Sequence, residues 1–230
     1  MKRPTRTKIS ILMCVIVLVT LACQLTPQTP AQILEQAKQK MGELQTYHMD
    51  MTLTMSVTGA TITITARGDA QMPDKAYMTM EMLGQEIEVL MLSSSEAYTR
   101  MSGQTEWTPV DPATLSQSTG IASAASQLQI TDYATNIVKQ QDETVEGVAC
   151  YHLSMDVDAE EMMNVVNPGL SGQVSYGSEP ARMDVWVGKQ DSLIHKMSYD
   201  LAMVIEGQDT DMSMMLTFSN FDEAVDIPTP

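Results

Sequence analysis

Residues 48–57 read HMDMTLTMSV, and their period of two constrains the fold more than any other feature of the chain. Successive side chains of an extended strand point to opposite faces. Met49, Met51, Leu53, Met55 and Val57 therefore share one face, and Asp50, Thr52, Thr54 and Ser56 share the other. The pattern recurs. Met78, Met80 and Met82 alternate with Thr79 and Glu81. Met197, Tyr199, Leu201, Met203 and Ile205 alternate with polar or small residues, as do Met212, Met214, Leu216 and Phe218. Strands of this kind converge on one apolar, methionine-rich surface.

Strand-like runs cover 47–58, 61–71, 76–83, 86–93 and 96–101, separated by Gly59, Pro73-Asp74, Gly84 and a serine triplet. Such short connections imply an antiparallel meander. Further strands are expected at about 137–143, 148–157, 182–188, 192–205 and 209–219. Ahead of them, Thr29-Pro30 suits a helix start, and Ile33, Leu34, Ala37, Met41 and Leu44 fall near one helical face, predicting an amphipathic helix over 31–45. Residues 112–138 are rich in Ala, Ser and Leu without alternation and suggest one or two short helices, with another over 159–166. The Gly/Ser/Pro-rich stretch 167–180 reads as an exposed loop. The expected fold is α+β: a curved antiparallel sheet whose apolar face is closed by the N-terminal helix and short helices, in a single domain over 31–230.

About eight strands present roughly 750 Å² of face, whereas a 15-residue helix shadows only about 22 by 10 Å. One helix cannot cover that surface, and an apolar face of several hundred square ångströms calls for an occupant. Methionine suits a face that must adapt, because its unbranched thioether repacks around different shapes. The expected guest is a lipid or an acyl chain, lined by Met49, Met51, Met55, Met78, Met80, Met82, Met203, Met212 and Met214. Met-x-Met spacing beside His48 also fits Cu(I), which soft thioethers select. Against copper, Leu53, Val57, Leu201, Leu216 and Phe218 share the same stripes, a longer apolar series than a metal site needs.

The N-terminus supplies an address. Lys2, Arg3, Arg6 and Lys8 precede an apolar run from Ile9 to Ala22 that is too short to span a membrane. Residues 1–22 are thus expected to be an export signal. It ends in Val19-Thr20-Leu21-Ala22-Cys23, which resembles a bacterial lipobox, with Thr20 where Leu is most usual. Cys23 is the expected lipidation site, and residues 23–30 the anchor and tether; the alternative is a plain secretory signal with a chance cysteine. The expected location is the extracytoplasmic face of the cell membrane, or the outer membrane where an envelope has two. With Cys14 removed and Cys23 acylated, Cys150 is left alone in an apolar run and reads as a buried, unreactive thiol.

Removing the signal takes four of the 13 basic residues and none of the 29 acidic ones, moving the formal charge from −16 to −20. Nucleic acid is an improbable partner for such a surface, and membrane attachment must come from acyl chains. A monomer is expected. His48, His152 and His195 stand in separate strands, and no nucleophile, phosphate-binding or zinc-protease motif occurs, so neither an enzyme nor a cofactor is indicated. Asp156-x-Asp158 with Glu160 and Glu161, and Asp209-x-Asp211, lack the rest of a calcium loop and read as solvated strand ends.

A family resemblance rests on several stretches. The helix runs into Tyr47-His48-Met49-Asp50-Met51. Further on come Met72-Pro73-Asp74-Lys75-Ala76-Tyr77, Glu96-Ala97-Tyr98 followed by Trp107, and Glu146 to Leu153. Trp186 to Ile194 and the ending from Phe218 to Pro228 complete the set. Together these resemble the LolA-like superfamily of lipoprotein carriers, most closely its LppX/LprG branch. The resemblance implies a strongly curved half-barrel around a hydrophobic cavity for acyl chains, in proteins that ferry lipoproteins or glycolipids across the envelope or sense lipids. It carries over no polar ligand residue, and methionine here replaces the expected leucine and valine lining. An envelope sensor or scaffold that binds a protein partner through the same groove is the alternative of a different class.

Overall fold

The protein is represented by a computed structural model that describes residues 28–57, 59–112, 128–166, 174–177, 179–205 and 207–230. Residues 1–22, the expected export signal, and Cys23, the expected lipidation site, lie outside the described residues. Helix α1 spans Pro30–Glu43 and begins where the sequence places it. The Thr29 hydroxyl accepts from the Gln32 backbone N–H, and the Gln32 side chain accepts from the Thr29 N–H, a reciprocal cap that satisfies two otherwise orphaned donors. Ile33, Leu34, Ala37 and Met41 of α1, and Leu44 just after it, are all buried.

Thirteen strands follow. They are β1 (Thr46–Val57), β2 (Ala60–Gln71), β3 (Lys75–Met82), β4 (Gln85–Ser93), β5 (Glu96–Met101), β6 (Thr108–Val110), β7 (Ala134–Lys139), β8 (Glu143–Val145), β9 (Val148–Val157), β10 (Val174–Tyr176), β11 (Ala181–Gly188), β12 (Ile194–Ile205) and β13 (Gln208–Ser219). Among the described residues they form one curved, open antiparallel sheet in the order β6-β5-β4-β3-β2-β1-β13-β12-β11-β9-β7, with β8 on β9 and β10 on β12. The C-terminal strand thus lies beside the N-terminal one. The chain's end secures that junction: the Gln45 N–H donates to the Asp222 carboxylate at 2.7 Å, and the Thr46 hydroxyl donates to the Glu223 carbonyl at 2.6 Å.

Helix α2 (Ala159–Val166) occupies its expected place and buries Met162 and Met163 in the same core as α1. Asp158 caps it, accepting from the Glu160 and Glu161 N–H groups at 3.0 Å, so this acidic residue does more than solvate a strand end. A short 3₁₀ turn, Ile130–Tyr133, precedes β7.

Three short strands differ from expectation. β6 contains Pro109, which an edge strand tolerates because its missing N–H faces outward. β8 and β10 are three residues each and too short to show alternation; β10 falls within the expected loop 167–180 and pairs with Met203–Ile205. The strand expected at 137–143 sits earlier, at 134–139, with its pairing to β9 interrupted between Thr135 and Val138 around a left-handed Asn136. Of the expected helical stretch 112–138, residues 113–127 lie outside the described residues.

Gly68 is required by a close approach. A Cβ there would lie 2.1 Å from the Tyr77 carbonyl oxygen and 2.6 Å from the Met78 Cα, both backbone atoms that cannot step aside cheaply. On the outer face near the β6 edge, the Arg100 guanidinium grips Glu88 through two bonds of 2.6 and 2.8 Å, and Tyr77 donates to the same carboxylate. Arg100 also lies 4.3 Å over the Trp107 ring, tying the β5–β6 connection to the sheet. The Arg100 and Tyr77 bonds hold the Glu88 carboxyl below its ordinary range.

Two outcomes follow from this frame. Gly68→Ala is expected to cost about 2–3 kcal/mol in urea denaturation, the range for forcing extra volume into a packed site. Because Glu88 is depressed in the folded state, its contribution is fully present above the ordinary carboxyl value of 4.5 and lost as pH falls through the lower folded one. Glu88→Gln is therefore expected to lower the urea midpoint at pH 7 and to flatten its fall below pH ~4.5, measured as midpoint against pH.

Candidate functional site

Register turns the period-two pattern into a continuous surface. In the antiparallel ladders Leu153, Val185, Met197, Leu216, Met51, Ala66, Met80, Ile87 and Met101 are successive partners across nine strands, from β9 to β5. A second row runs Met155, Met183, Tyr199, Met214, Leu53, Ile64 and Met82. A third joins Phe218, Met49, Gly68, Met78 and Val89. Direct partners have Cβ atoms about 5 Å apart on the same face, so each row is an unbroken apolar band.

The nine methionines expected to line the site all fall on this face, though at different depths. Met49, Met51, Met78, Met80, Met203, Met212 and Met214 are buried, Met55 is half-buried, and Met82 is 38% exposed. The reason lies in strand length. Met82 is the last residue of β3 and pairs with Ile64, so β3 stops short of the β1–β2 tip and leaves its own end uncovered. Met214 is the deepest; it accepts the Tyr199 hydroxyl at 2.7 Å on its sulfur, which gives a phenol on the apolar face a soft acceptor. Tyr47 packs edge-on to Phe218 with ring centroids 6.0 Å apart, and burial pushes its phenol up to about 12. It stays neutral at any physiological pH.

Met155, Met183 and Met197 extend the same surface; the sequence pattern places Met197 on it, but none of the three is among the expected lining residues. α1 packs over the half formed by β7, β11 and β12. A cleft of about 630 Å³ opens among Thr54, Ser56, Arg182, Asp200, Asp211 and Ser213, and Ala181, Leu201 and Met212 also line it. The polar side chains among them alternate with the apolar ones and so stand on the polar face of the sheet.

The histidines do not come together. His48 bonds Asp69 at 2.7 Å, His195 bonds Asp191 at 3.0 Å, and His152 bonds Asp184 at 2.8 Å while stacking on Trp186. Each is held locally by a carboxylate. Among the described residues no cluster of three His, Cys, Asp or Glu side chains is arranged to hold a metal. Cys150 is buried, donates to the Val148 carbonyl at 3.4 Å, and has its thiol pushed up by burial, the setting of an inert cysteine. No described helix is long and apolar enough to cross a membrane.

Comparison with known proteins agrees with this geometry. The LppX_LprAFG lipoprotein family model matches residues 29–227. The crystal structure of the Mycobacterium tuberculosis lipoprotein LppX is 17% identical and covers 87% of this chain and 100% of that one, with a TM-score of 0.59. LprF from Mycobacterium bovis is 16% identical over 87% of this chain and 96% of that one, with a TM-score of 0.55. A LolA superfamily protein from Nitrosomonas europaea is 12% identical over 88% of this chain and 96% of that one, at a TM-score of 0.35. No curated protein sequence matches.

Depth on the face sets the response to truncation. Met214→Ala is expected to cost about 3 kcal/mol, the range for emptying a buried methionine site, whereas Met82→Ala is expected to cost under about 1 kcal/mol. Urea denaturation of the two variants checks the contrast.

Proposed function

Because the chain belongs to the LppX_LprAFG lipoprotein family, we propose that it is a lipid-anchored extracytoplasmic protein that carries or chaperones envelope lipids or lipoproteins. A lipid or acyl chain is held against the apolar face, with Met49, Met51, Met55, Met78, Met80, Met82, Met203, Met212 and Met214 as its lining. Diacylglyceryl-modified Cys23 attaches the protein to the membrane. One observation carries this reading: a nine-strand apolar band with methionine at recurring register positions, far longer than a metal or a small polar ligand needs. Binding is by shape and dispersion, and thioether side chains re-form around the guest.

Native mass spectrometry of the gently extracted protein tests it directly, and a co-purifying lipid mass is the expected result. Met55→Glu combined with Met82→Glu places charges where the face is only partly covered. It is expected to weaken binding of a fluorescent fatty acid at least about tenfold while the far-UV circular dichroism stays unchanged. An unliganded mass together with no saturable fatty-acid binding by the unaltered protein refutes the reading.

A further inference from the structure

One end of the sheet carries apolar side chains that the fold itself does not use. The ends of β1, β3 and β5 and the starts of β2 and β4 lie at the same end, called here the rim; the opposite end, where α1 enters β1, is the base. The rim is stepped, since β3 ends opposite Ile64 and β5 ends opposite Ile87. Along these steps Ile62 is 37%, Met82 38%, Leu83 77% and Met101 44% exposed. Ile62, Met82 and Met101 share the face of the methionines, so the exposed patch is continuous with the proposed binding surface.

Leu83 is the most telling of the four. It stands first in the two-residue β3–β4 turn Leu83-Gly84, with φ of +53° and +76°. A left-handed position in a tight hairpin favours Asn, Asp or Gly, and a leucine there is disfavoured by backbone sterics. Its side chain is not recovered by burial either. The β8–β9 turn at the base has the same form, with φ of +47° and +87°, and carries Glu146-Gly147. The β12–β13 connection, also at the rim, likewise has a charged residue before its glycine, Glu206-Gly207, so the large apolar residue is particular to the β3–β4 turn. Neither conformation nor packing accounts for Leu83; contact with an apolar medium does.

The anchor identifies that medium. α1 joins β1 at the base and rises about 20 Å along its 14 residues. Lys38 pairs with Asp132, two residues before the rim end of β7, so the N-terminal end of α1 points toward the rim. From Cys23 to Pro30 the chain extends at most about 25 Å. A lipid on Cys23 therefore leaves the rim within reach of the bilayer. A tether this short also holds the rim at millimolar effective concentration, so weak insertion suffices.

We infer that the stepped rim, with Leu83 at its tip, is a bilayer-docking lip through which the apolar face meets the membrane surface and exchanges acyl chains with it. This rests on the lipid-anchored, lipid-binding reading above. Glu81 and Glu86 are cross-strand partners beside the tip, so insertion is driven by apolar contact and opposed by anionic headgroups. Docking is accordingly stronger on zwitterionic lipid, and on anionic lipid it strengthens with salt.

The test uses the full-length lipoprotein reconstituted into phosphatidylcholine vesicles that contain doxyl-labelled phosphatidylcholine. An environment-sensitive fluorophore is placed at Leu83→Cys and, in a separate sample, at Glu146→Cys. Emission from position 83 is expected to shift to the blue and be quenched by the doxyl lipid, while position 146 remains in water. Leu83→Asp is expected to slow transfer of a fluorescent fatty acid from the vesicles about tenfold, the factor for losing burial of one leucine side chain. It is expected to leave the lipid mass seen by native mass spectrometry in place. Equal, water-like emission at both positions overturns the proposal. So does a blue-shifted 83 label that the doxyl lipid does not quench, which would mark the lip as a contact between copies of the chain. A quenched 83 label on a protein that never binds fatty acid supports docking and refutes the carrier reading, so the two fail separately.

Discussion

Everything in this molecule depends on β1 being paired along nearly its full length on both sides. Each of its residues from Thr46 to Val57 faces a partner on β2, and those from His48 to Val57 also face one on β13. Side chains alternate with a period of two, so a slip of one residue against either neighbour would turn Met49, Met51, Leu53 and Met55 outward and bring Asp50 and Thr52 inside. The register is thus fixed by the cost of burying a carboxylate, and the nine-strand band follows from it. The β1–β13 pairing closes a loop of more than 150 residues, which places this strand at the meeting of two meanders. The capped helix α1 and the tail after Ser219 both bond at the base of this strand, where a shift in register would begin.

The same arithmetic explains what was legible in the sequence. α1 was readable because Thr29, Pro30 and Gln32 are local start signals whose effect does not depend on the rest of the chain. The long strands were readable because alternation over eight to twelve residues outweighs methionine's modest strand preference. β6, β8 and β10 were not, since three residues carry no period and the pairing of β10 is set by Met203–Ile205 on another strand. β7 was displaced because its ladder is broken around Asn136, and an edge strand with a break loses the pattern that announces it.

The face of each methionine was readable for the same reason, but its depth was not. Met82 and Met80 are two residues apart on one strand, yet Met82 is exposed because β3 ends there. Depth is a property of where neighbouring strands stop, which depends on turns elsewhere in the chain. Leu83 is a sharper case. Read as part of a strand it looks like one more apolar residue of the run, and only its positive φ and its exposure reveal a side chain without a structural reason.

Methionine itself remains to be accounted for, because burial makes it an expensive choice. Fixing a methionine side chain loses up to about 1.5–2 kcal/mol of rotamer freedom, against about 0.5–1 for leucine or isoleucine. Seven of the nine expected lining methionines are buried, and Met155, Met183 and Met197 are buried with them. Over ten such residues the difference is on the order of 10 kcal/mol, as large as the whole stability of an ordinary domain. A face that locked every one of these side chains would be hard to keep folded. One that leaves part of their freedom intact avoids that loss, and under the proposed lipid-binding role that freedom would let a thioether surface close around an alkyl chain of variable length. On the proposed role, adaptability and tolerable stability come from the same torsions, so Met-to-Leu exchanges should raise the one only by lowering the other.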